Sequence, residues 1–258
     1  MSSALSPFGL CLRGGVSLES LTAKEKDELG LDPQSLSLLT DEERLDFRSL
    51  VLVGNGGRHF LWEAFQDGLR DNPALKESPD PLDDWTRSVL VPLTSWLGGA
   101  FSHPSDGPPY MPFLRWARAF SPQGERLSVS PMGWTLHPRW GSWQAYRGVL
   151  FLPFVPEGMP DCPKNREQEG EICLRCETRP CLQACPVNAF DWKQSEDGSI
   201  SGLLDIPRCK SFLVSPEGQQ GDCVQSGCLP RRVCPYASEE AQPHEQSRFH
   251  LQSFLGAH

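Results

Sequence analysis

The chain has 258 residues, with 24 Lys and Arg against 33 Asp and Glu and a formal net charge of -9. That balance leaves no basic footprint for a polyanion, so nucleic acid is not an expected partner. No stretch reaches the roughly 18 uninterrupted apolar residues of a membrane span, and the N-terminus MSSALSPFGLCLRGG has no basic segment leading into an apolar one, so a cytoplasmic protein without membrane attachment is expected.

With 24 Pro and 23 Gly, turns and irregular connections should outweigh long helices. Thr22-x-x-Glu25 and Thr40-x-x-Glu43 have capping-box spacing, which predicts a short helix after each. SLVLV at 49–53 reads as a buried strand, followed by the turn Gly54-Asn55-Gly56-Gly57 and a helix beginning RHFLWEAF. Such a turn can bring backbone N–H groups to a ligand at a helix N-terminus. Without the third glycine of a dinucleotide fingerprint, it reads more simply as a tight turn. Leu82, Trp85, Val89, Leu93 and Trp96 recur every three or four residues, predicting an amphipathic helix over about 81–97 with these side chains in the core. The polar loop FSHPSDGPPY carries His103 and Tyr110, both candidate proton donors. A shorter helix is predicted over 112–120, with Phe113, Trp116 and Phe120 inward. Two apolar strands follow, joined through HPRWGSW at 137–143. Loops that gather His, Arg and two Trp often face a ligand, although a plain hairpin explains the pattern equally well.

Sulfur dominates the rest. Of the 10 cysteines only Cys11 precedes residue 160, so the chain divides into a sulfur-poor part, 1–160, and a sulfur-rich part, 161–258. In a reducing compartment such a cluster is more often a metal site than a disulfide framework. CETRPCLQACP at 176–186 and CVQSGCLPRRVCP at 223–235 form a degenerate repeat. Each has four residues between its first two cysteines, Leu after the second, and a terminal Cys-Pro; the second copy carries two extra residues before that pair. A Cys-x2-Cys element alone also suits zinc. The paired Cys-Pro endings resemble bacterial-type ferredoxins, where three cysteines of a run wrap one cubane and the fourth reaches the other. That resemblance implies two [4Fe-4S] clusters, one on Cys173, Cys176, Cys181 and Cys234 and the other on Cys185, Cys209, Cys223 and Cys228. Cys11 and Cys162 are left over, and the four residues between Cys176 and Cys181 replace the usual two.

HPRWGSW followed by RGVLFLP at 147–153 resembles the cobalamin-processing CblC family, with lesser similarity at Pro7-Phe8-Gly9, Leu50–Val53 and DPLD at 80–83. The order of parts is similar to that of epoxyqueuosine reductases and reductive dehalogenases, which join a nitroreductase-like domain to a two-cluster ferredoxin module and place a lone cysteine between the runs, as Cys209 is here. The resemblance implies an α+β protein: a nitroreductase-like cobalamin-binding sandwich, then a small ferredoxin-like domain. It implies an iron–sulfur reductase that passes electrons from an external ferredoxin, flavodoxin or reductase to cobalamin or another corrinoid. His137 and Trp143, with Trp140, would face the corrinoid, and Arg139 and Arg147 would meet its polar edge or a cosubstrate anion; His137 joins His103 and Tyr110 as a candidate catalytic residue. The chain ends 24 residues after Cys234, without the helical repeats of many epoxyqueuosine reductases, and with its acidic charge a tRNA substrate is not expected. Rival readings are an electron-transfer or cobalamin-delivery protein without turnover, and a flavin in place of the corrinoid.

Overall fold

The computed structural model describes all residues except 33–35, 37–45, 56–59, 123–124, 160–171, 197–198 and 257–258. The helix expected after Thr40, the glycine turn at 56–57 and Cys162 fall outside the described residues. The strands are β1 (Leu10–Ser17), β2 (Ser49–Asn55), β3 (Ala100–Ser102), β4 (Ser128–Val129), β5 (Thr135–Leu136), β6 (Tyr146–Leu152), β7 (Phe190–Gln194) and β8 (Ile200–Leu204). The longer helices are α1 (Ala23–Leu29), α2 (Phe60–Asp71), α3 (Pro81–Trp96), α4 (Phe113–Phe120), α5 (Ile206–Leu213) and α6 (His244–Leu255). The fold is mixed α+β with small sheets, and no helix among the described residues is long and apolar enough to cross a membrane.

The chain forms two compact units. The first comprises Met1–Gly56, Phe60–Arg126 and Ala145–Asn165. Its antiparallel sheet has the order β1-β2-β6-β3. Every residue of β2 is buried, as an uninterrupted apolar strand must be when both of its faces are covered. In β1 the register slips between Leu12 and Gly15, and Gly14 takes φ 121°. A Cβ there would lie 2.1 Å from the Phe120 carbonyl oxygen, so only glycine lets the end of α4 close on this strand. Trp116 of α4 is fully buried edge-on to Phe151 and donates its indole N–H to the Leu29 carbonyl. Thr22 and Glu25 form the predicted capping box of α1.

Helix α3 forms where expected, but rotated. Its buried line is Leu82, Trp85, Thr86, Leu90 and Thr94, while Trp96 is 81 % exposed. The two threonines count as polar in a hydropathy pattern. Each bonds its hydroxyl to the carbonyl four residues earlier, Leu82 and Leu90, at 2.7 Å, and can then enter the core as a small apolar surface.

The second unit comprises 57–59, Leu127–Gln144 and Arg166–His258. Residues 127–144 thus group with the sulfur-rich segment, although they precede residue 160. The predicted strands on either side of HPRWGSW do form but do not pair. β5 is bonded to β4 in the second unit, and β6 to β2 and β3 in the first, so the hairpin reading of the loop fails. The reason is length: a two-residue β5 cannot pair along the seven residues of β6, whose two edges are taken by β2 and β3. The β7–β8 hairpin meets the turn ahead of β5 through glycines. A Cβ on Gly133 would lie 2.6 Å from the Gly202 carbonyl oxygen, and one on Gly202 2.3 Å from that of Pro131.

Candidate functional site

Within the second unit the cysteines fall into two groups, and each run contributes to both. In one, burial pushes the Cys181 thiol above its ordinary value, with Cys234 and Cys176 near enough to raise it further; Cys234 likewise feels burial and then Cys176. Cys173 stands one turn earlier in the chain, buried against Leu136 and Ile200, and its carbonyl accepts the Cys176 N–H at 3.3 Å. In the other, Cys209 is raised by burial, Cys185 and Cys223. Burial pushes Cys228 up to about 12, with Cys223 and Cys209 adding to the effect. Cys185 and Cys234, the two that precede proline, have therefore exchanged places between the runs.

Local structure explains the exchange. In both Cys-Pro turns the third residue after cysteine is left-handed, Asn188 at φ 47° and Ala237 at φ 53°, so the chain reverses identically and swings each sulfur away from its own run. Cys209 is placed by Asp205, whose carboxylate caps the Arg208 N–H at 2.9 Å and starts α5 one turn before the cysteine. Backbone amides aim at the sulfurs: Ala189 N–H reaches Cys185 Sγ at 3.2 Å, and the amides of Leu182, Arg231 and Tyr236 lower the pKa of Cys181, Cys228 and Cys234. Such bonds reward a thiolate or a metal-bound sulfur over a neutral thiol.

Cys185, Cys209, Cys223 and Cys228 line one cavity of about 240 Å³, and its walls include Trp134, Trp143, Arg231 and residues of α6. A single ion needs little more room than a water, which occupies about 10–15 Å³ on this measure. One wall group is out of balance. Arg231 is half-buried with its Nε fully enclosed, and no carboxylate among the described residues pairs with it; desolvation lowers its pKa to about 10. Its guanidinium bonds the Ser142 carbonyl and lies over Trp143 at 4.3 Å and Trp134 at 5.5 Å. A cation taken out of water without a counter-ion costs several kcal/mol. Thiolates around an iron–sulfur core supply the missing negative charge, so the donor set, the room and the unpaired cation fit a cluster.

No protein-family model and no curated protein matches the chain. What the site can do is read from its donors and their surroundings.

The structure divides the loop and anion residues expected to share a site. His137 and Trp140 stack at 4.2 Å with Arg139 over the Trp140 ring, all in the second unit. His137 is 1 % exposed, and its Nδ1 accepts the N–H groups of Arg139 and Trp140, which leaves Nε2 as the protonated nitrogen of the neutral ring. Trp143 lines the cysteine cavity beneath Arg231. The loop is tied to the Cys234 turn as well, where Tyr236 donates its hydroxyl to the Pro138 carbonyl and Gly141 leaves room for the Tyr236 backbone. HPRWGSW is thus a wall of the sulfur unit, lining the cavity of one cysteine group through Trp143 and tied to the turn that follows Cys234.

Arg147, His103 and Tyr110 belong to the first unit. Arg147 is buried and pairs with Asp83 at 3.4 Å, the ion pair of a strand end. His103 Nε2 lies 3.6 Å from the same carboxylate, and Nδ1 lies 2.7 Å from Ser105 Oγ. Burial, which outweighs the pull of Asp83, lowers the His103 pKa to about 4. It is therefore a neutral imidazole at neutral pH. Tyr110 is 66 % exposed on the surface. Cys11 is also in the first unit, its thiol donating to the Asn55 carbonyl, apart from both cysteine groups.

A depressed histidine pKa favours the folded state above its unfolded value and is lost on acidification. The contribution of His103 is therefore complete above about pH 6.5 and disappears as the pH falls through about 4, amounting to about 3 kcal/mol. In urea titrations at pH 7 and pH 4.5, wild type should lose more stability between the two than His103→Gln does. Equal losses would show that His103 carries no such linkage.

Arg231, Trp134 and the cavity-lining side of α6 were not singled out by the sequence reading. A signal for the first was present: Arg231 and Arg232 occupy the stretch that makes the second run two residues longer than the first.

Proposed function

We propose that the chain is an iron–sulfur reductase whose second unit is a two-cluster, ferredoxin-like module. Cys173, Cys176, Cys181 and Cys234 would hold one [4Fe-4S] cluster, and Cys185, Cys209, Cys223 and Cys228 the other. The observation that carries this reading is the reciprocal exchange of Cys185 and Cys234 between the two groups. A pair of independent zinc knuckles gives no reason for it, because each would be completed within its own run. Bound clusters supply one-electron transfer at potentials set by burial and by hydrogen bonds to sulfur. The protein's own part is to desolvate the cysteines, aim amides at them and balance their charge with Arg231.

The electron acceptor we propose is a corrinoid, on the similarity of residues 137–153 to the CblC family, a stretch that the fold divides between the two units. Because His137 and Trp143 are buried, they stand on this reading as parts of the cavity wall and not as direct corrinoid contacts.

Anaerobic purification with iron and sulfide analysis tests the first part: about eight irons and eight sulfides per chain are expected, and stoichiometric zinc in their place overturns it. Adding cobalamin to the reduced protein tests the second. The expected result is a shifted corrinoid spectrum that proceeds to cob(II)alamin or cob(I)alamin. A shift without reduction favours the delivery reading, and an unchanged spectrum removes the corrinoid.

A further inference from the structure

We propose that α6 is a lid for the cluster on Cys185, Cys209, Cys223 and Cys228, which docks over a filled cavity and then shuts out oxygen and water. This rests on the two-cluster reading above.

The cavity that those four cysteines line is also lined by Ser247, His250, Leu251 and Phe254 of α6. Counted from Ser247 these positions follow at three, four and seven residues, so one whole face of the helix is turned to the cavity. What fastens the helix to the protein is of another kind. Its buried residues are Gln246 and Ser247, both polar and both in its first turn. Arg232 donates to the Gln242 carbonyl at 2.9 Å and to Ser247 Oγ at 2.8 Å, which ties the start of the helix to the second cysteine run. Gly227, just before Cys228, takes φ 91°, and a Cβ on it would lie 2.6 Å from Ser247 Cβ. Only glycine lets the helix come so close to the cysteines. Leu251 and Phe254, the apolar side chains of the later turns on this face, are half-buried and look onto the cavity. Lys210, beside Cys209 on α5, lies 5.1 Å over the Phe254 ring.

A polar grip at one end leaves the later turns to be held by apolar burial, and the surface they bury belongs to the cluster. A helix of 12 residues is marginal in water by itself, and covering a Leu and a Phe is among the larger gains such a helix can receive. Loss of the cluster therefore frees the later turns, and α6 reports whether the cavity is filled. Because α6 is a wall of that cavity, the cluster enters before the helix docks.

The test combines hydrogen exchange of the α6 amides with the air stability of the clusters in the intact, iron-loaded chain. Cys209→Ser, which takes the cluster from this group, should speed exchange over the last two turns of α6 by about tenfold or more. Cys173→Ser, which takes the other cluster, should leave that exchange at the wild-type rate. The double variant Leu251→Ser with Phe254→Ser keeps every cysteine. After reduction it should show both EPR signals, and on exposure to air the one that Cys209→Ser lacks should bleach about tenfold faster than in wild type, with the other unchanged. Leu255→Ser, on the same helix but outside the cavity, should bleach as wild type does. The proposal fails if α6 exchanges alike in wild type and Cys209→Ser, if Cys173→Ser frees it as much, or if the double variant resists air as well as wild type. Wild-type protein carrying zinc or fewer than two clusters rejects the two-cluster reading and this inference with it, and metal analysis tells that failure from the others.

Discussion

Cys209→Ser is expected to bind about half the iron of the wild-type chain and to keep one of its two EPR signals. Cys209 belongs to neither cysteine run, and a knuckle reading has no use for it. In the folded chain it stands one turn into α5, its thiol pushed up by burial and then by Cys185 and Cys223, and it lines the same cavity as those two and Cys228. A cubane with one ligand replaced by a weaker donor is held poorly, whereas the other group of cysteines is untouched. Cys11→Ser is the matching control, because its thiol bonds the Asn55 carbonyl in the other unit and should leave iron content unchanged. Full iron content in Cys209→Ser would remove Cys209 from the ligand set and leave the second group one donor short.

The second large effect is expected in the first unit. Asp83→Asn should lower its stability by about 1–3 kcal/mol, because removing one partner of a largely buried pair leaves Arg147 charged and unpaired. Arg147 is buried, Asp83 is its one ion-pair partner among the described residues, and the 3.4 Å contact draws Asp83 toward His103 as well. Replacing both at once, Asp83→Asn with Arg147→Met, should recover much of the loss, since an apolar side chain needs no counter-ion. Urea unfolding followed by the fluorescence of Trp85 and Trp116 measures it. A double variant no more stable than Asp83→Asn would mean that Arg147 is held by something other than this pair. The result also bears on function, because a structural ion pair would withdraw Arg147 from the residues available to an anionic cosubstrate.

Local pattern was a good guide wherever a segment's structure depends on its own residues. The capping box at Thr22, the buried strand at 49–53 and the inward Phe113, Trp116 and Phe120 are all legible, because hydrogen-bond geometry and side-chain period act within a few residues. The rotation of α3 was not, because whether a threonine is buried depends on a hydroxyl finding the carbonyl four residues back as the helix packs. The pairing of the strands around HPRWGSW was also not legible. β6 takes β2 and β3 as neighbours from distant parts of the chain, so adjacency in sequence counted for nothing.

What the sequence determined by itself is the donor inventory: the two cysteine runs with their Cys-Pro endings, the lone Cys209, and the two-residue excess that accompanies the paired arginines. Composition and spacing are covalent facts and survive any folding. Tertiary structure alone decided which cysteines share a cavity, that the HPRWGSW loop is a wall of the sulfur unit, and that Arg231 stands there with no carboxylate among the described residues to pair with it. Those properties depend on distance through space and on the exclusion of water, and a linear chain carries neither.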